Sequence, residues 1–212
     1  MKRLETKHID YWPDDVLLGE AEINASYSAH ILSKEELEEY QGFASDKRKA
    51  EYLTARHLFR HLIHSLNIAP DEVSLVKEEM GKPYAQHENE LIYVSFSHSP
   101  EKVYCALSLS KNIGLDVELA DREINPAVVK RILNDEELET LVSEQPVKLW
   151  TIKEAAVKCL GTGLRTNLND LTIIKNQKNR FSVRFNNDKL FEICSFRLTN
   201  HQIALAYQSK HI

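Results

Sequence analysis

The sequence predicts an α+β protein of two similar tandem lobes, each a helix packed on a small antiparallel sheet. Three observations point there. The apolar pattern reads helix then strands, and then helix then strands again. The two halves share a faint likeness at a shift of about 100 residues. Glycine and proline number six each, too few for long linkers. A duplication of this kind implies a pseudo-two-fold, with the functional site in the cleft between lobes 1–110 and 111–212.

The elements follow in order. Residues 33–41 (SKEELEEYQ) open with a serine followed three residues later by glutamate, the capping-box pattern of a short helix. A second helix is expected from about Asp46 to Asn67, where Tyr52, Leu53, Leu58, Phe59, Leu62, Ile63 and Leu66 recur at helical spacing. Strands are expected at 73–77, 91–97, 103–109 and 113–118. Helices resume at about 126–133, 135–143 and 146–160, the last stopped by Gly161 and Gly163. The tail reads as strands near 171–175, 180–185, 190–198 and 202–208. Ser95-Phe96 answers Ser195-Phe196, and Val103 and Ala106 answer Ile203 and Ala206. At a shift of about 98, Tyr52, Arg56 and Arg60 fall opposite Trp150, Glu154 and Lys158.

Composition narrows the function. The 212 residues carry a net charge of −5, which argues against general nucleic-acid binding but leaves room for a local basic pocket. Lys47, Arg48, Lys49 and Arg56 supply such a pocket in one short stretch. No segment approaches the roughly 18 apolar residues of a membrane span, and MKRLETKHIDYW lacks the apolar stretch of a signal peptide. Cys105, Cys159 and Cys194 have no metal-ligand spacing and read as reduced core residues of a cytoplasmic protein.

Several residues invite chemistry, each beside a plainer reading. Asp116 and Glu118 in IGLDVEL are i and i+2 on a strand, so both carboxylates project from one face. They are either a solvated strand face or the paired hard oxygen donors that Mg²⁺ prefers. Trp150, Glu154 and Lys158 form one stripe of a helix. They are either a tryptophan beside an ordinary Glu–Lys pair, or a third carboxylate with a phosphate-neutralising ammonium. Ser95-Phe96-Ser97-His98-Ser99 ends a strand, where hydroxyls and backbone N–H groups bind phosphate, or where a histidine is merely structural. A serine hydrolase reading lacks the glycine-flanked nucleophile elbow. Gly81-Lys82-Pro83 marks a turn.

The order of these pieces is more specific than any one of them. GKP (81–83), SFSHS (95–99), GLDVE (114–118) and WTIKEAAVK (150–158) followed by GTGL (161–164) resemble the signature of the 4′-phosphopantetheinyl transferases, and most of all the two-lobed, Sfp-type branch. The resemblance implies transfer of phosphopantetheine from coenzyme A to a serine of an apo acyl or peptidyl carrier protein, leaving 3′,5′-ADP. It implies Mg²⁺ held by Asp116, Glu118 and Glu154, with Lys158 at the pyrophosphate. It places Ser97 and His98 at the coenzyme A phosphates, and Lys77, Gly81, Lys82 and Pro83 beside the adenosine. Lys47, Arg48 and Arg56 match the first-lobe region associated with the 3′-phosphate, although Tyr52 stands where some members have a threonine. Glu154, directly or through a metal-bound water, is the expected base for the incoming hydroxyl, with Glu137 a second choice. Two lobes in one chain make a monomer sufficient. Arg122, Lys130 and Arg131 with Ile124, Val128, Val129 and Ile132 are the expected docking surface for an acidic carrier. A Mg²⁺-dependent phosphohydrolase acting on nucleotides, and a non-catalytic nucleotide-binding protein, are the competing readings.

Overall fold

The computed structural model of the protein describes residues 1–186 and 188–209; residues 187 and 210–212, within the second expected lobe, lie outside the described residues. The first sheet contains β1 (Lys2–Arg3), β2 (Val16–Glu22), β3 (Val73–Lys77), β4 (Pro83–His87), β5 (Glu90–His98) and β6 (Lys102–Ser108), in the order β1-β2-β6-β5-β4-β3. The second contains β7 (Lys111–Leu119), β8 (Leu171–Lys175), β9 (Arg180–Phe185), β10 (Lys189–Leu198) and β11 (His201–Ser209), in the order β7-β11-β10-β9-β8. All pairings are antiparallel. The helices are α1 (Lys34–Gly42), α2 (Asp46–His64), α3 (Pro126–Ile132), α4 (Asp135–Thr140) and α5 (Pro146–Leu160).

Each long helix buries its apolar stripe on one sheet. Leu58, Phe59, Leu62 and Ile63 of α2 pack with Ile92, Val94, Val103 and Leu107. Ile152, Ala155, Ala156 and Cys159 of α5 pack with Phe181, Val183, Phe191 and Ile193. A third cluster joins the sheets through Trp12, Leu18, Tyr104, Ile113, Leu115, Val117, Phe196 and Ile203. Each large side chain so buried contributes about 1.5–3 kcal/mol of transfer free energy. The three cysteines are buried and free. Burial pushes their thiols well above the ordinary range, so they behave as apolar core groups. Among the described residues no helix is long and apolar enough to cross a membrane.

Most expected elements occur within a residue or two of their predicted bounds, and the Ser33–Glu36 capping box is present. Three differences have physical causes. Strand β2 escapes prediction because VLLGEAE has no alternation: it is covered on both faces, with Gly19 against Leu58 and Leu62. Strand β4 escapes because PYAQH lacks β-branched residues; its proline sits at the first position, where a missing N–H is tolerated. Helix α2 ends at His64, and the chain leaves it through Asn67 in the left-handed region at φ 61°.

Two expectations are corrected. The likeness at a uniform shift of 100 does not hold across both hairpins. Ser95 pairs with Ala106, whereas Ser195 pairs with Ala204, because the second hairpin turns in fewer residues. Of the apolar residues expected to dock a carrier, Ile132 is buried, and Val128 and Val129 are partly buried against the second core. Lys130, Arg131 and Arg122 remain exposed.

Candidate active site

Strand β7 and helix α5 meet at Gly114. A Cβ there would lie 2.2 Å from both Ala155 O and Cys159 N, so only glycine permits this approach of backbone to backbone. Asp116 and Glu118 share the Gly114 face of the strand and therefore look toward α5. The half-buried stripe Trp150, Glu154 and Lys158 lies among buried neighbours on that helix.

Lys158 Nζ donates to Asp116 Oδ1 at 2.8 Å, to Ser97 Oγ at 3.1 Å and to Phe96 O at 3.4 Å. Ser97 Oγ donates to Asp116 Oδ1 (3.2 Å) and accepts from Val117 N (3.0 Å). Ser95 Oγ accepts from Leu115 N at 2.8 Å. The two hydroxyls thus tie β5 to β7 and bring the first sheet to the carboxylates. Asp116 Oδ2 is buried without a hydrogen-bond partner, which is rare for a carboxylate oxygen.

Burial, then the neighbouring Asp116 charge, raises the pKa of Glu154, with Lys158 opposing. Glu118 is raised for the same two reasons, with Arg122 and Lys158 opposing. Arg122 donates to Glu118 and lies 5.3 Å from the centre of the Trp150 ring. Among the described residues no three carboxylate, imidazole or thiol groups stand close enough to hold an ion as they are. The crowded carboxylates and the orphan Asp116 oxygen nevertheless fit a hard cation, since a positive charge would relieve both.

The remaining predicted residues divide between two adjoining cavities. The larger, about 410 Å³, brings together Arg48, Arg56, Lys77, Gly81, Lys82, Pro83, Ser97, His98 and Lys158. The smaller, about 310 Å³, brings Lys47, Ser97 and His98 beside Asp116, Glu118 and Lys158. The basic groups at the first-sheet end already have anionic partners. Arg56 is buried between Tyr52 and Phe96, and its Nε donates to Glu36 at 2.5 Å. Lys77 donates to Glu39 at 2.5 Å, and Tyr52 Oη donates to the same carboxylate at 2.9 Å. Arg48 Nη1 donates to buried Glu51 at 3.2 Å. The same Glu51 oxygen, Oε2, also lies 3.5 Å from His98 Nε2. Burial lowers the His98 pKa, with Glu51 opposing and Arg48 reinforcing.

Glu137 is not available as a base, which corrects that expectation. It has no exposed surface; Oε2 accepts from Lys153 Nζ (2.7 Å) and Asn134 N (2.8 Å), and Oε1 from Ile173 N (2.6 Å). Lys153, equally buried, also donates to the carbonyls of Ile132, Leu168 and Leu171. The pair fastens α4 and β8 to the buried side of α5. Sequence reasoning missed Glu51 and the pairing of Arg122 with Glu118. The i,i+3 spacing of Arg48 and Glu51 signals the first, and the i,i+4 spacing of Glu118 and Arg122 signals the second.

Comparison with known proteins bears on the same region. Residues 112–207 match the model of the 4′-phosphopantetheinyl transferase superfamily. The chain is 31% identical over 154 residues to the 4′-phosphopantetheinyl transferase gsp of Aneurinibacillus migulanus, covering 69% of this chain and 63% of that protein. It is 30% identical over 148 residues to the 4′-phosphopantetheinyl transferase HetI of Nostoc sp., covering 64% and 62%. It is 24% identical over 177 residues to the 4′-phosphopantetheinyl transferase Sfp of Bacillus subtilis, covering 74% and 78%. The chain thus spans less than two thirds of the length of the first two relatives. The matched region, which holds Asp116, Glu118, Glu154 and Lys158 on one strand and one helix, is that of the 4′-phosphopantetheinyl transferase superfamily.

Proposed function

We propose that the chain transfers 4′-phosphopantetheine from coenzyme A to a serine hydroxyl of an apo acyl or peptidyl carrier protein, releasing 3′,5′-ADP. The observation that carries this reading is the contact of Lys158 with Asp116 and Ser97, at the junction of two cavities lined by anion-binding groups. We read the chain as two lobes, 1–110 and 111–212, related by a pseudo-two-fold with the site in the cleft between them. The equivalent strand orders of the two sheets support this, as does a cavity that takes residues from both.

Coenzyme A would lie along the larger cavity, with its adenosine end against the backbone of Gly81-Lys82-Pro83 and near Lys77. Its pyrophosphate would lie toward Ser97, His98 and Lys158, within reach of Lys47. Asp116, Glu118 and Glu154 would hold Mg²⁺, which when bound supplies charge stabilisation at the pyrophosphate. The carrier serine oxygen attacks the β-phosphorus, and the bond from that phosphorus to the ADP oxygen breaks. Lys158 stabilises the negative charge that gathers on the departing ADP. The serine proton goes to Glu154. A monomer working in the cytoplasm, with no nucleic-acid or membrane partner, is consistent with the charge and composition.

The test is incubation with coenzyme A, Mg²⁺ and a panel of apo carriers, read by mass. Gain of one phosphopantetheine on a carrier, with stoichiometric 3′,5′-ADP, is expected. Phosphate released from coenzyme A without any carrier would identify a phosphohydrolase instead.

A further inference from the structure

Lys82 lines the larger cavity, yet its ammonium is engaged elsewhere. Gly81, at φ 89°, closes a turn in which Gly81 N donates to Glu78 O and Glu78 N donates to Lys82 O, each at 2.8 Å. From this turn Lys82 reaches the C-terminal end of α5. Its Nζ donates to Cys159 O at 2.5 Å and also to Asn112 Oδ1 at the start of β7. Asn112 Nδ2 donates to the same Cys159 carbonyl at 3.0 Å. That carbonyl is among the last four of α5, which lack partners within the helix. A cation there also opposes the negative end of the helix dipole. Gly161, the left-handed cap of α5 at φ 84°, leaves room for the lysine stem, since a Cβ would meet Lys82 Cδ at 3.1 Å.

Two separate elements, the turn before β4 and the start of β7, therefore converge on one carbonyl of α5, adjacent in sequence to Lys158. We propose that Lys82 is a positioning residue for phosphopantetheinyl transfer. It fixes the last turn of α5 against β7 and so sets the reach of Lys158 to Ser97 and Asp116. This rests on the function proposed above. The packing supports it: the lysine stem is partly buried, and burial lowers the ammonium pKa, with Cys159 and Glu78 opposing. Such a group is retained for its hydrogen bonds rather than for solvation.

The test uses Lys82→Met, Lys82→Arg and Asn112→Leu in the full chain. Shifting a catalytic group by about 1 Å can cost roughly 10²-fold in rate. Lys82→Met is expected to lower kcat by about 10-fold or more, while the KM for coenzyme A changes by less than about 3-fold. Lys82→Arg should restore part of kcat, and Asn112→Leu should give a smaller loss of the same kind. Amide exchange in Lys82→Met should quicken at residues 157–161 and not across the chain. A raised KM with intact kcat would mark Lys82 as a ligand contact and overturn the proposal. Unchanged exchange at 157–161, or a uniform rise with kcat intact, would overturn it as well. If the wild-type chain modifies no carrier, the functional reading fails by itself, and exchange at 157–161 still decides whether Lys82 holds the helix end.

Discussion

Lys158 and Asp116 face each other across the strand–helix junction with 2.8 Å between Nζ and Oδ1, while the second oxygen of Asp116 is buried and unpaired. One carboxylate thus serves the ammonium with one oxygen and keeps the other in reserve. That division predicts different defects for the two residues. Lys158→Met should lower kcat by about 10²–10³-fold, the usual loss for a group that stabilises developing charge. Asp116→Asn should abolish Mg²⁺-dependent transfer, as should chelation of Mg²⁺ in the unaltered chain. Steady-state kinetics across a Mg²⁺ titration distinguish the two. A Lys158→Met variant with unaltered kcat would remove the lysine from the mechanism.

Gly114 has no room for a side chain, because the obstructing atoms are backbone. Gly114→Ala should cost about 1–3 kcal/mol from overpacking and should displace α5, lowering kcat in the fraction that folds. Gly42, at the end of α1, has nothing within 4 Å of its Cβ position. Gly42→Ala should be neutral or stabilise by up to about 1 kcal/mol through the unfolded state. Urea denaturation of both variants reads the contrast, and equal midpoints would refute it.

Glu137 and Lys153 form an ion pair with no exposed surface on either side chain. Removing one partner of a fully buried pair costs about 3–5 kcal/mol, because the remaining charge has nowhere to go. Lys153→Met should approach that loss, since three carbonyls also lose their donor. Glu137→Gln should destabilise as well, yet retain near-normal kcat per folded molecule at low temperature. A Glu137→Gln enzyme that is stable but inactive would return Glu137 to the list of bases.

The pH dependence of stability should carry a signature of His201, which is fully buried with Nε2 2.9 Å from Ser99 Oγ. Burial lowers its pKa and Lys102 lowers it further, while Glu20 and Glu101 oppose. The unfolded chain takes up this proton near pH 6.5, whereas the folded chain does not until lower pH. Stability is therefore present above about 6.5 and lost as pH falls below it. The Tm difference between wild type and His201→Gln should narrow from pH 7.5 to pH 5.5. A constant difference would show that His201 does not titrate between the two states.

Much of the candidate site was legible because it is local. Asp116 and Glu118 alternate on a strand, and Trp150, Glu154 and Lys158 recur every fourth residue on a helix. The arrangement of these carboxylates and Lys158 follows from those two periods once Gly114 brings the elements together. What was not legible depends on distant partners. Nothing around Lys82 announces a carbonyl 77 residues away, and nothing around Arg56 announces capture by Glu36 of another helix. The partial burial of Val128 and Val129 is likewise decided by the packing of α3 on the second core rather than by its own alternation. Strand β2, covered on both faces, had no period to read at all.

The hydroxyls of Ser95 and Ser97 have one more consequence. Strand β7 is the outermost member of its sheet, and an outermost strand normally offers its amides to any extended peptide that drifts past. Here Leu115 N and Val117 N are already taken by side-chain oxygens of the other sheet. The same contacts that tie β7 to the first sheet therefore deny a foreign strand its template at this edge.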